Sequence, residues 1–258
     1  MAARPTLLVV QYDGGAFAGW QRQPAARTIQ GELEDVLTRL LGRRTPVVGA
    51  GRTDAGVHAL GQAAAAAVPE RWAPAELARA MNALLPPEIW IASARRMAAG
   101  FNPRRDALER TYCYRIGTDP GARSPFRRRH EWGVAGPLEP ARLVRAAAAL
   151  VGEHSFVALS AKGPARPHYR CRVLEALWLA RDEGQGFEFW ITADRFLHHM
   201  VRFLVGLMVD VARGRRPLRD VGRLLKDGDN REASPPAPPQ GLFLVGVRYP
   251  PHLYVRAP

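Results

Sequence analysis

Two rounds of strand-patterned and helix-patterned segments, following each other in the same order, set the first constraint on how this chain can fold. Residues 5–12 form a short apolar run that ends at Asp13-Gly14-Gly15, a turn signal, and read as a buried strand. From Thr28, a candidate N-cap, apolar residues fall at Ile29, Leu33, Val36, Leu37, Leu40 and Leu41, and Gly42 stops this helical spacing. Pro46-Val47-Val48 leads into a glycine-rich bend between extended segments; a helix is predicted over 74–85 and a strand over 89–97. The second round holds a strand over 110–116, a helix over 138–151, and a hairpin of 173–180 with 187–192 turning at Glu183-Gly184. A nearly all-apolar helix over 198–213 and a short one over 218–226 follow; residues 233–240 are proline-rich and barred from regular structure, and 242–249 read as a closing strand. The expected fold is therefore α/β (α+β) in two similar halves, 1–105 and 106–258. Each would be an antiparallel or mixed sheet with helices packed on one face, and a cleft between the halves would hold the ligand.

Composition narrows the partner. At 258 residues with 47% hydrophobic and 24% charged residues, the chain has the make-up of a globular protein rather than a disordered or fibrous one. The 37 basic against 24 acidic residues leave +13, which favours a polyanion, nucleic acid ahead of a membrane surface. Only Lys162 and Lys226 are lysines, so part of the arginine excess reflects a bias of composition. Cys113 and Cys171 are too few for a disulfide framework or a four-ligand zinc site, and read as buried, reduced thiols. The apolar run at 6–10 is shorter than a signal-peptide core, and no stretch reaches the roughly 18 apolar residues of a membrane helix. A cytoplasmic protein is expected, with no membrane partner.

The segment over 49–62 carries the most chemical information. Gly49-Ala-Gly51-Arg-Thr-Asp54 approaches the dinucleotide fingerprint, but a carboxylate stands where the third glycine should be and would repel a pyrophosphate. No nucleotide cofactor is expected. A metal reading would join Asp54 to His58 and the His198-His199 pair, whose spacing completes no recognised ligand set. The plain alternative is a structural turn in which Asp54 caps backbone amides.

Gly49-Ala-Gly-Arg-Thr-Asp-Ala-Gly-Val-His-Ala-Leu-Gly-Gln62 resembles the signature of the tRNA pseudouridine synthases that act at positions 38–40 of the anticodon arm. Five further blocks resemble the same family in the same order. They are Tyr12-Asp-Gly-Gly-Ala-Phe-Ala-Gly-Trp-Gln-Arg-Gln23 with Thr28-Ile-Gln30; Phe101-Asn-Pro-Arg104; Arg110-Thr-Tyr112-Cys-Tyr114; Phe196-Leu-His-His-Met-Val-Arg202; and Gly241-Leu-Phe-Leu-Val-Gly-Val247. The likeness spans residues 12 to 247. It departs at Arg166-Pro167-His168-Tyr169, where the family more usually shows an Arg-Thr pair, and at Phe203, where a polar residue is common.

The resemblance implies an isomerase that breaks the uracil N1–C1′ bond, turns the base and rejoins it through C5, without cofactor or metal. The family's catalytic Asp falls on Asp54, a role chemically apt because cleaving a glycosidic bond calls for a carboxylate near the anomeric carbon. It assigns Arg202 as the cation that keeps Asp54 charged, and Tyr112 as the residue that packs against the target base. His199, Arg202, Gly206, Asp210 and Arg213 form one polar stripe on the apolar helix, facing either the site or solvent. Arg52, a planar cation beside the bend, is the candidate to fill the space of a flipped uridine. Tyr114 reads as core, and His58 as a support of the loop. Arg104, Arg105 and the run Arg127-Arg128-Arg129 are candidate phosphate contacts. The implied partners are the anticodon arm of tRNA and a second copy of the chain, since members of the family are homodimers. A non-catalytic RNA-binding protein would keep the arginines and Tyr112 but has no need of Asp54 with Arg202. A nucleoside-bond hydrolase would release free uracil.

Overall fold

A strand buried on both faces needs apolar side chains at most positions, and β1 (Ala3–Tyr12) meets that with Leu7, Leu8, Val10 and Tyr12 all buried. The computed structural model describes residues 3–161, 168–226 and 228–255; Arg166 and Pro167 of the divergent stretch lie outside them. After β1 come α1 (Ile29–Leu41), β2 (Val48–Gly49), β3 (His58–Pro69), α2 (Pro74–Asn82) and β4 (Ile89–Arg96). Next are β5 (Glu109–Gly117), β6 (Trp132–Gly133), α3 (Pro140–Ala148), β7 (Gly152–Ser155), β8 (Arg170–Ala180) and β9 (Gly186–Ala193). The chain ends with α4 (Met200–Ala212), α5 (Arg219–Lys226) and β10 (Leu242–Arg248). Among the described residues no helix is long and apolar enough to cross a membrane.

The fold is α/β, in two compact units: Met1–Leu108 with Phe243–Pro258, and Glu109–Leu242. The sequence placed the join at 105/106 and the closing strand with the second half. In the structure residues 243–258 return to the first unit. Phe243 and Leu244 pair in parallel with His58 and Ala59, and the Tyr249 hydroxyl donates to the Pro103 carbonyl at 2.7 Å. Tyr249 also completes a core cluster with Leu7, Ala63, Ala65, Met97 and Phe101.

In the first unit β1 lies between β3 and β4, antiparallel to both, and β2 pairs with β3. Thr28 caps α1, its hydroxyl accepting from the Gly31 N–H, and Ile29, Leu33, Val36, Leu37 and Leu41 form the buried face that the spacing predicted. α2 stops at Asn82, short of the predicted residue 85. The Asn82 side chain exchanges two hydrogen bonds with the backbone of Ile91, and Pro86-Pro87 bars continuation.

In the second unit β5 and β9 run antiparallel in unbroken register from Arg110↔Ala193 to Gly117↔Gly186. β9 forms the predicted hairpin with β8, and β7 pairs with the far edge of β8. α4 buries every residue except Arg202 and Asp210, and the indole N–H of Trp178 on β8 points at Met208 Sδ on the helix.

Candidate active site

The bend over 50–57 is a loop tied down at its entry, at Thr53 and at its closing turn. Its entry is fixed by the Ala50 N–H to the Ala63 carbonyl and by Gln62 Nε2 to the Gly51 carbonyl, at 2.8 and 3.0 Å. Thr53, buried, takes one partner from the end of β1 and one from the segment after it: its hydroxyl pairs with the Tyr12 hydroxyl at 2.8 Å, and the Trp20 N–H donates to its carbonyl. Asp54 opens a β-turn closed by the Val57 N–H on the Asp54 carbonyl, with Gly56 at φ 76° in the third position, where a left-handed residue is required. The result is a rigid ledge that leaves Thr53 inward, Asp54 half-buried and Arg52 exposed. His58 is buried and stacks on Phe243 with centroids 4.8 Å apart. Its Nδ1 accepts from the Gly14 N–H at 3.1 Å, and Asp13 Oδ1, itself the acceptor for Gly15 N–H, lies 3.2 Å from the same nitrogen. The imidazole thus ties the start of β3 to the turn after β1 and to Phe243.

In the second unit, strand alternation puts Tyr112 and Tyr114 on one face of β5. Tyr112 is 9% exposed and meets Phe196 edge-on at 4.9 Å. Tyr114 is fully buried, and its hydroxyl donates to the Pro238 carbonyl at 2.7 Å. Burial pushes that phenol well above its ordinary range, while the charge of Arg202 works in the opposite sense. Arg202 lies in the first turn of α4, which opens at His199, a non-glycine residue at φ 60° and ψ 4°.

The polar stripe on α4 is covered by another segment of the chain at Gly206 and in part at Arg202. The proline-rich segment over 234–238 runs along it as a strap. Arg202 Nε donates to the Ala237 carbonyl at 2.7 Å, and the Ala237 N–H donates back to the Arg202 carbonyl at 2.9 Å. Gly206 is where the strap comes closest: a Cβ there would sit 2.1 Å from the Pro235 carbonyl oxygen. The strap therefore aims Arg202 by fixing one edge of its guanidinium. The sequence marked this segment only as irregular; the glycine inside the stripe was the available signal that another backbone approaches there.

The basic candidates divide. Arg104 and Arg105 sit on a turn whose backbone N–H groups both donate to Asn102 Oδ1, with Asp106 closing the turn on the Asn102 N–H. Arg104 is exposed. Arg105 is exposed too, but its Nε binds Asp106 at 2.8 Å and its Nη2 the Gly100 carbonyl at 2.9 Å. Arg127 is internal to its loop, forked onto Asp119 at 2.7 and 2.8 Å and 2.9 Å from Glu131. Arg128 and Arg129 are exposed.

The sequence model of the tRNA pseudouridine synthase family matches residues 8–101 and 146–250. The tRNA pseudouridine synthase A of Myxococcus xanthus is 40% identical over 242 residues, covering 94% of this chain and 91% of that protein. The protein of the same name from Solidesulfovibrio magneticus is 42% identical over 246 residues, covering 94% and 90%. That from Cereibacter sphaeroides is 40% identical over 251 residues, covering 94% and 96%.

Proposed function

The chain belongs to the tRNA pseudouridine synthase family, and we propose that it isomerises uridine to pseudouridine at positions 38, 39 and/or 40 in the anticodon stem-loop of tRNAs. The observation that carries this reading is the Asp54 ledge. A half-buried carboxylate stands on a loop braced at Gly51, Thr53 and Val57, beside an exposed arginine, in the motif that resembles the family's catalytic one. Such bracing is what a group that must meet one carbon atom in one orientation requires.

In this reading Asp54 acts on the sugar while the N1–C1′ bond breaks, either by attack at C1′ or by taking a sugar proton toward a glycal. The uracil, still enclosed, turns and bonds through C5; the C5 proton leaves and N1, which kept the electron pair of the broken bond, takes one up. Nothing is oxidised and no group is imported, so the chemistry asks only for a carboxylate, a means of holding the base and a way to reach it. Tyr112 supplies a flat wall for the base, its ring already fixed edge-on against Phe196. Arg202 supplies the positive charge that keeps a carboxylate ionised where water is excluded, its guanidinium preset by the strap. Arg52 occupies the gap left when the uridine leaves the stack, a step that costs a few kcal/mol. Arg104 and Arg105, both exposed on one turn, are the phosphate candidates, and Arg105 also holds Asp106. Cytoplasmic residence, a homodimer and work without cofactor or metal belong to the same reading.

The test is to incubate the pure protein with uridine-labelled tRNA and resolve pseudouridine from free uracil. Pseudouridine is expected from the native chain and none from Asp54→Asn, which keeps the side-chain size, with tRNA affinity within severalfold of the native value. Free uracil would make the protein a hydrolase. Binding without product would make it an RNA-binding protein.

A further inference from the structure

The stretch between β5 and β6 leaves and rejoins the sheet at adjacent points, since Ile116 and Gly117 pair in parallel with Trp132 and Gly133. Such an excursion is an Ω-type loop, and this one is braced internally. Asp119 accepts from the Gly121 N–H and from both terminal nitrogens of Arg127. Arg127 also lies 2.9 Å from Glu131, which is buried, and Arg181 from the β8–β9 turn closes on the other oxygen of Glu131 at 2.5 Å. Backbone bonds from Arg127 and Arg128 to the Ser124 carbonyl, and from His130 to the Arg127 carbonyl, tighten the tip. Both acidic side chains of the loop are thus turned on Arg127, inward.

What the loop presents outward is the reverse of what it holds inside. Phe126, at the tip, is 89% exposed, more than any other large apolar residue described. Arg123 and Arg128 flank it in sequence, both exposed. A single exposed aromatic is ordinary; one held out on an ion-paired scaffold between two cations is the make-up of a stacking platform for an unpaired base, with the cations placed for the neighbouring phosphates. The bracing means that the ordering cost of the loop is met before any ligand arrives. A second copy of the chain could also cover Phe126, but it would bring its own +13 to a face that is itself cationic, whereas RNA brings the opposite charge.

We propose that the Ser124–Pro125–Phe126 tip is an RNA-docking element that stacks an unpaired base of the tRNA other than the uridine that reacts, with Arg123 and Arg128 on the flanking phosphates. This rests on the reading of the chain as a tRNA-modifying enzyme. Affinity for an unmodified tRNA transcript is measured against salt for the native chain, Phe126→Ala, Phe126→Trp and Arg128→Gln, with sedimentation of each. Phe126→Ala should weaken binding about tenfold with an unchanged salt slope, because a stacked base is lost but no charge is. Phe126→Trp should bind like the native chain, and its fluorescence should be quenched on adding tRNA. Arg128→Gln should flatten the log–log salt slope by about 0.7–0.9. Native affinity in Phe126→Ala overturns the docking element and leaves the enzyme reading standing. A dimer that falls to monomers in Phe126→Ala assigns the tip to a second copy instead. If the native chain itself binds no tRNA, both readings fall together.

Discussion

Replacing Gly206 by alanine tests whether the strap on α4 is packed as tightly as the distances say. Gly206 sits inside the helix, where alanine is favoured over glycine by about 1 kcal/mol. Against that stands the Pro235 carbonyl oxygen, 2.1 Å from the new Cβ and about 1.3 Å inside ordinary contact. The oxygen belongs to backbone, so the strap itself must move. Overpacking of this kind costs about 1–3 kcal/mol. A displacement of that size also breaks the 2.7 Å bond from Arg202 Nε to Ala237, a charged hydrogen bond in the class worth about 1.5–3 kcal/mol. The net expectation is a loss of about 1.5–5 kcal/mol, or about 3–20 °C in melting temperature for a protein of this size. Gly222 in α5 is the control: it too is helical, but a Cβ there meets nothing within 4 Å. Gly222→Ala should gain about 0.5–1 kcal/mol. Melting curves of the two variants, paired with pseudouridine formation, give opposite signs if the strap is load on the helix. The reasoning fails if Gly206→Ala melts above the native protein, as Gly222→Ala should, and retains full activity.

Arg202→Met should abolish most turnover while leaving tRNA affinity within severalfold, and Arg202→Lys should restore little, because lysine cannot give one edge to Ala237 and keep a second for a carboxylate; near-native kcat in either would remove Arg202 from the chemistry. Arg104→Gln should flatten the salt dependence of tRNA binding by about 0.7–0.9 and Arg105→Gln by less, since Arg105 is already shared with Asp106; equal effects would show that the Asp106 pair yields to RNA. Burial pushes the Cys113 thiol up to about 12, above its ordinary 9.0. The neutral thiol is therefore favoured by folding, a contribution complete below about pH 9 and lost as pH rises from there toward 12. Cys113→Ala should flatten the alkaline limb of a stability–pH curve, and a limb identical to the native one would refute the assignment.

Much of this protein was legible without a structure. Thr28, Gly42 and the i, i+4 spacing between them specify α1 because caps and helical faces are set by residues within a few positions of one another. The β8–β9 hairpin was readable for the same reason, its turn lying between its own strands. The Asp54 bend stood out because its glycines, Arg52, Thr53 and Asp54 crowd into a few consecutive positions. Other features depend on partners far along the chain. The alanine run over 63–67 has weak strand preference by itself, yet it is the centre of β3 because β1 and β2 both pair with it. Residues 243–258 were assigned to the second half by their position in the sequence, and rejoin the first because Phe243 finds His58, 185 positions earlier, as its strand partner. Arg104, Arg105 and Arg127 are the same residue type in one charged stretch. Only the tertiary structure shows that Arg105 is held by Asp106 and Arg127 by Asp119, because what a charge pairs with depends on what the fold places within about 3 Å of it.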